Sequence, residues 1–250
     1  MSSMVEVLER NGSRTKVLAD LEEIAAFEFL RRGGTGGADR HFHATHVDAF
    51  VVLEGRLEIL TADGELTLAP GDAVAVPPGV VHGFNNLEPG PVRLLNVHAP
   101  SRRFAEYLRR QYARETTDPA EYDQLPPEDA PGGDPVVARA GEGERFERDN
   151  RAVTVRFELP QLSLVEIEFE GSFSVDPHTH DDHVDSFYVA DGAVEFLHGD
   201  DTVALGPGEF FSAPQGTRHG FRSANGEPAR VLNLHAPDAG FAAGIRDAAS

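Results

Sequence analysis

The chain contains no cysteine. Disulfides and thiolate metal sites are therefore excluded, and any metal has to be held by imidazole, carboxylate or water. Long apolar runs are missing as well. None approaches the ~18 residues that a membrane helix needs. The opening MSSMVEVLERNGSR has no apolar stretch of the signal-peptide kind, so a cytoplasmic location is the expectation. Positive charge is scarce: Lys and Arg number 22 against 42 Asp and Glu, a formal net charge of -20. That excess argues against nucleic acid and anionic membrane surfaces as partners. A small molecule is the expected partner, and an anionic one needs a local basic pocket.

What the chain does have is a repeat. HFHATHVDAFVVLEG at 41–55 returns as HTHDDHVDSFYVADG at 178–192, an offset of 137 residues. GDAVAVPPGVVHGF at 71–84 returns as GEFFSAPQGTRHGF at 208–221, and LLNVHAP at 94–100 as VLNLHAP at 231–237, with the same offset. Further upstream, TKVLADL at 15–21 resembles TVRFEL at 154–159 with the frame slipped by about a residue. The period is too long for a solenoid, so the chain reads as two copies of one domain. With 250 residues there is room for both. The expected units are residues 1–115 and 140–250, joined by a linker at 116–139.

Both copies read as short strands. Apolar and polar residues alternate in brief runs punctuated by Gly, Pro, Asp and Asn, which points to an all-β sandwich or small barrel. Hairpins are expected at 57–68 and 194–205, and tight turns at Pro77-Pro78-Gly79 and Pro214-Gln215-Gly216. SRRFAEYLRRQYARET at 101–116 spaces Phe104, Leu108 and Tyr112 as an amphipathic helix does. FAAGIRDAAS at the end is expected to be a short remnant of the same helix. The run 118–135 is rich in Pro, Gly and acid and reads as extended.

Side chains two apart on a strand share a face. His41 and His43 can converge, as can His178 and His180. Asp48 lies five residues past His43, so a bulge or short loop must turn it to the same side. His82 and His219 each enter from another strand, 39 residues after His43 and His180. Each copy thus offers three imidazoles and a carboxylate, which suits a divalent Fe, Mn, Ni, Co, Cu or Zn, one per barrel. A competing set uses His46 and His183, two residues before Asp48 and Asp185, as ligands or as hydrogen-bond partners of those acids. The Asp set is preferred, and the alternative stays open at this point.

These residues resemble the cupin motifs. The first is HxH, four residues, an acid, six residues and Gly: His41, His43, Asp48 and Gly55 fit, as do His178, His180, Asp185 and Gly192. The second is G-x5-PxG-x2-H-x3-N. Gly71, Pro77, Gly79, His82 and Asn86 match throughout, whereas the second copy has Ser223 in place of Asn. Both acids are Asp where the family usually has Glu. The resemblance implies a bicupin: two tandem jelly-roll β-barrels, each with a metal, with a short helix and a Pro/Gly-rich linker between them. It further implies a dioxygenase of quercetin-dioxygenase-like type acting on a small hydroxy-keto or enolisable substrate, with Asp48 or Asp185 as a base if it leaves the metal. Two alternatives remain: a non-oxidative isomerase, decarboxylase or hydrolase acting on a small polar acid, and a non-enzymatic binding protein. A monomer that pairs its own halves, or a homodimer of such chains, is expected. Candidate substrate contacts are His98 and His235, for which a structural role is preferred, and Tyr188 and Arg222, which replace Val51 and Asn85 of the first copy.

Overall fold

A computed structural model describes residues 5–249. They form two compact units divided between Gly141 and Glu142. In unit 1 the order is β1 (Glu6–Arg10), β2 (Ser13–Asp20), β3 (Ala25–Arg31), β4 (Thr35–His41), β5 (Val47–Glu54), β6 (Leu57–Thr61), β7 (Glu65–Leu68), β8 (Ala73–Val76), β9 (His82–Asn86), β10 (Val92–Ala99), helix α1 (Phe104–Tyr112) and β11 (Val136–Ala138). Unit 2 repeats it with β12 (Glu144–Arg148), β13 (Arg151–Leu159), β14 (Leu162–Phe169), β15 (Ser174–His178), β16 (Val184–Asp191), β17 (Val194–His198), β18 (Asp201–Leu205), β19 (Phe210–Ala213), β20 (His219–Ser223), β21 (Ala229–Ala236) and helix α2 (Phe241–Ala249).

Each unit is a pair of antiparallel sheets. Unit 1 orders its sheets β1-β2-β3-β10-β5-β8-β11 and β4-β9-β6-β7; unit 2 orders them β12-β13-β14-β21-β16-β19 and β15-β20-β17-β18. The ladders do not close on themselves, so each barrel is a two-sheet jelly roll rather than a continuously hydrogen-bonded ring. Alternate side chains of both sheets fill the space between them. In unit 1 Phe27, Phe50, Leu57, Ile59 and Leu94 are buried there, and in unit 2 Phe169, Phe187, Phe196 and Val231.

The repeat holds in register. His98 sits opposite Asp48 and His235 opposite Asp185. Asn96 faces Phe27 while Asn233 faces Val165, so the offset becomes 138 upstream of the histidine motif. That is the frame slip visible in the sequence. The expected hairpins are β6–β7 and β17–β18. Gly79 and Gly216 adopt φ of 85° and 73°, a region costly for side chains bearing Cβ. Their N–H groups donate to the His43 and His180 carbonyls at 2.7 Å, tying each PxG turn to the histidine motif.

Two expectations change. The end of the chain is not a remnant: α2 has nine residues, as many as α1. Residues 116–139 are not an extended linker but part of unit 1. Their last residues add β11 to the edge of β8, and Leu125 bridges Phe42 through backbone hydrogen bonds of 2.9 and 3.1 Å. Between these contacts Pro119–Tyr122 forms a 3-10 turn capped by Asp118, and Tyr122 is fully buried. Backbone polar groups and an aromatic ring thus find partners that composition alone does not reveal.

Candidate metal centre

In unit 1 the histidine motif crosses from one sheet to the other. β4 ends at His41, residues 43–46 bend, and β5 resumes at Val47 in the opposite sheet. The bend resets the strand parity, and Asp48 comes to face His43. His82, at the start of β9, sits directly across from His41. The nitrogens of His41, His43 and His82 lie within 4.8 Å of one another. Asp48 Oδ2 is 3.1 Å from His82 Nε2 and 3.8 Å from His43 Nε2. Unit 2 reproduces this, with His178 across from His219 and with Asp185 Oδ2 at 3.1 Å from His219 Nε2 and 3.8 Å from His180 Nε2.

The tautomers are set by the backbone. Neutral His41, His43 and His82 donate Nδ1–H to the carbonyls of Asp39, Asp123 and Val80 at 2.7, 2.7 and 3.2 Å. His43 Nε2 thus faces the centre, while His82 Nε2 also faces Asp48 Oδ2 at hydrogen-bond distance. His43 Nε2 is buried without a hydrogen-bond partner. A buried orphan acceptor beside two more imidazoles and a carboxylate fits a divalent cation with nitrogen and oxygen ligands. Burial, then the neighbouring His82 and His43, pushes His41 down to about 3, so it is a neutral ligand at pH 7. His43 is lowered chiefly by burial too. Burial pushes Asp48 up, but His98, His43 and His82 outweigh it and hold the carboxyl well below its usual value.

Behind the cluster lies a chain of side chains that the sequence reading largely missed. Asn96 Nδ2 donates to Asp48 Oδ1 and to the Ala49 carbonyl. Its Oδ1 accepts from His98 Nε2–H at 3.0 Å, which fixes that tautomer. His98 Nδ1 then accepts from His46 Nε2–H at 3.0 Å, and His46 Nδ1 meets Asp123 Oδ2 at 2.9 Å. Both nitrogens of His46 are thus occupied. A grouping of His43, His46 and His98 is also close enough for a metal, but two of its members are already hydrogen-bonded to each other. Asp123 takes three further hydrogen bonds, from Ala44 N–H, Thr45 N–H and Thr45 Oγ1–H, at 2.9, 2.9 and 2.6 Å. Burial raises its carboxyl, yet His46, Thr45 and Ala44 together lower it.

Unit 2 keeps the frame and loses the cover. Asn233 donates to Asp185 as Asn96 does to Asp48, and His235 Nδ1 contacts Ser163 Oγ at 3.3 Å. No counterpart of the Asp123 segment is present among the described residues. His183 pairs instead with the exposed Asp182 at 2.7 Å. His180 is 28% exposed where His43 is 1% exposed, and its Nδ1 has no partner among the described residues. Burial, then His183, lowers His180 to about 4. Burial also pushes His219 down, but its hydrogen bonds to Asp185 and the Thr217 carbonyl and the Asp185 charge together outweigh this and raise it.

Other candidates fall elsewhere. Tyr188 is buried, but one residue from Phe187 on the strand it faces away from the cavity that Asp185 and Phe187 line. Arg222 is 65% exposed and paired to Glu195, outside the barrel. His98 and His235 line the cavities of their units while holding the Asp48 and Asp185 network. The unit 1 cavity is about 530 Å³ and the unit 2 cavity about 430 Å³. No helix of the described residues is long and apolar enough to cross a membrane.

The profile of the Cupin domain family matches residues 28–98 and 165–235. Quercetin 2,3-dioxygenase of Bacillus subtilis (strain 168) is 27% identical over 259 residues, which cover 87% of this chain and 73% of that protein. A formate complex of Lactobacillus farciminis oxalate decarboxylase superposes with a TM-score of 0.66 at 14% identity, covering 94% of this chain and 85% of the other. A variant of Bacillus subtilis oxalate decarboxylase superposes with a TM-score of 0.64 at 16% identity, covering 94% and 75%. At those identities the structural likeness speaks for the fold. Each profile match ends on the histidine, His98 or His235, that faces the candidate ligand acid, and together they span more than half of the sequence; the chain belongs to the cupin domain family, as a tandem of two cupin domains.

Proposed function

We propose that this bicupin is a metal-dependent dioxygenase acting on a small hydroxy-keto or otherwise enolisable substrate. In this reading His41, His43, Asp48 and His82 hold one divalent first-row metal, and His178, His180, Asp185 and His219 hold a second. The observation that carries it is the convergence beside a cavity of three imidazole nitrogens in each unit, joined in unit 2 by Asp185 and flanked in unit 1 by Asp48 at 3.1 Å from His82 and 3.8 Å from His43. The quercetin 2,3-dioxygenase relative supports the reaction class. When bound, a redox-active metal with open positions supplies Lewis acidity toward an enolate oxygen and a path for O2 chemistry.

The chain's own groups do the rest. Backbone carbonyls hold the Nδ1 protons and aim Nε2 inward. Asn96 and Asn233 orient the carboxylates. Asp48 and Asp185 are both held below their usual value. A carboxyl so placed is a strong anionic ligand and a weak base at neutral pH, which favours the ligand role over substrate deprotonation.

The test is oxygen uptake by protein of known metal content, offered a flavonol or a β-diketone. One O2 consumed per substrate supports the reading; no uptake with Fe, Mn, Ni, Co or Cu restored in turn overturns it. The unit 1 cavity, more polar than that of unit 2 and with Arg10 and Arg31 in its lining, favours one second reading. There a small polar acid undergoes decarboxylation or isomerisation, and CO2 or isomer appears without O2 consumption.

A further inference from the structure

We propose that the cavity of unit 2 takes an apolar, ring-sized molecule carrying an anionic group, its more apolar walls setting it apart from the unit 1 cavity. This deepens the reading above by naming a substrate class for the second centre, although the argument rests on the cavity walls alone.

The two cavities occupy the same place in the repeat, so their walls can be compared position by position. By strand register, Thr35 and Ala38 of unit 1 become Phe173 and Val175 in unit 2. On the terminal helices, Tyr107 and Gln111 of α1 become Gly244 and Ala248 of α2, while Leu108 becomes Ile245. By strand register Thr15, hydrogen-bonded to Tyr112, becomes Val153. Each replacement except that of Leu108 by Ile245 removes a polar group or adds an apolar one. The result is a space of about 430 Å³ walled by Phe, Val and Ile, with His178, His180 and Asp185 among its lining. A space of that size holds a small organic molecule, and apolar walls with few polar groups select by shape and burial.

Two cations line the cavity as well. Arg148 and Arg151 face each other across the β12–β13 hairpin. The Arg151 guanidinium lies over the Phe173 ring at 5.3 Å, and Arg148 donates to the Ala248 carbonyl. Neither meets a carboxylate among the described residues. Arg145, Arg156, Arg222, Arg230 and Arg246 of the same unit pair with glutamates, whereas Arg10 and Arg31 at the unit 1 cavity, like Arg148 and Arg151, meet no carboxylate among the described residues. The cavity lining holds one carboxylate, Asp185 of the metal cluster. Two guanidiniums free of acidic partners beside an aromatic, apolar cavity fit the anionic end of a molecule whose body is buried between the sheets.

Two fluorescent probes of similar shape separate the parts of the proposal: anilinonaphthalene sulfonate, an anion, and N-phenylnaphthylamine, which is neutral. Both are titrated into the full chain, with circular dichroism melts showing that each variant is folded. The wild type binds the anion saturably at one site per chain. Replacing Arg148 and Arg151 together by Gln weakens the anion about tenfold and leaves the neutral probe within about twofold. Gly244→Tyr with Ala248→Gln restores the unit 1 residues where nothing crowds a side chain on Gly244, and weakens both probes about tenfold. Gln111→Ala in unit 1 changes neither. The proposal is overturned if the arginine variant affects both probes alike or neither, or if the α2 variant leaves binding intact. The titrations are repeated on chelator-stripped protein. Probe binding in protein that takes up no metal separates failure of the metal reading from failure of this one.

Discussion

Units 1 and 2 hold the same candidate ligands in the same frame but differ in what lies over them. In unit 1 residues 118–125 fold across the histidine motif, and Asp123 alone meets His43, Ala44, Thr45 and His46. His41 and His43 are buried there, while His46 and His82 are as buried as their counterparts His183 and His219. In unit 2 His178 and His180 are partly open, and His183 leans on an exposed aspartate. The cavities diverge in the opposite sense, the covered centre adjoining a mixed space and the open one a more strongly apolar space. A duplicated fold therefore conserves the ligand geometry through strand register while leaving cover and walls free to differ. The walls, rather than the fold, are where the two cavities differ.

The comparison breaks most sharply at the ligands. His82→Ala is expected to remove about one metal per chain and His219→Ala about one from the other unit, as read by elemental analysis against protein concentration. Unchanged metal content in both variants would mean that the ligand assignment is wrong. Loss of both metals from either single variant would mean that the units do not bind independently.

Acid comes next. An imidazole held below its usual 6.5 in the folded chain takes up its proton more readily when unfolded. Stability is then present above pH 6.5 and is lost as the pH falls toward the folded value. For His41, held near 3 by burial, this amounts to roughly 3 kcal/mol between pH 7 and pH 4. His43 and His98 act in the same direction. Unit 2 has lowered His180 and His235, but raised His219 works the other way, adding stability below 6.5 that is lost as the pH rises. Metal-free protein is therefore expected to lose hydrogen-exchange protection in unit 1 at a higher pH than in unit 2. The reverse order would contradict the assignment of these shifts to burial.

Much of this was legible in the sequence, for physical reasons that also mark where legibility stops. A repeat in frame with short alternating strands forces the same sheet pairing twice. HxH and the PxG-turn histidine are local patterns, so His41, His43 and His82 could be named. Asp48 sat at the wrong parity for a regular strand, and only the bend at 43–46 turns it inward. Asn96 and Asn233 were in plain view inside the repeated NxH but make their contacts across strands. Asp123 carried no signal. It is one acid among many in a segment with no counterpart in the second copy, and its partners are about 80 residues away. Tyr188 and Arg222 were misplaced because a substitution between copies says nothing about which face it lies on.

Asp123→Ala sharpens the comparison at intermediate size. It strips the partner from His46 and from the Ala44 and Thr45 N–H groups, while the carbonyl that orients His43 belongs to a segment then held less firmly. Unit 1 metal affinity is expected to fall about 10- to 100-fold, with unit 2 unchanged as the internal control. Competition with a chelator of known affinity reads both sites in one sample. An equal loss in both units would show that the effect is global unfolding rather than positioning.

The smallest effect is expected from the matching change in unit 2. Asp182 pairs with His183 as Asp123 does with His46, but its side chain is 74% exposed and makes no other side-chain bond among the described residues. An exposed pair of this kind contributes little, since water solvates both partners in its absence. Asp182→Ala is therefore expected to change unit 2 metal affinity by no more than about twofold in the same chelator competition. If it costs as much as Asp123→Ala does in unit 1, then cover is not what distinguishes the centres, and the aspartate–histidine contact acts by itself wherever it occurs.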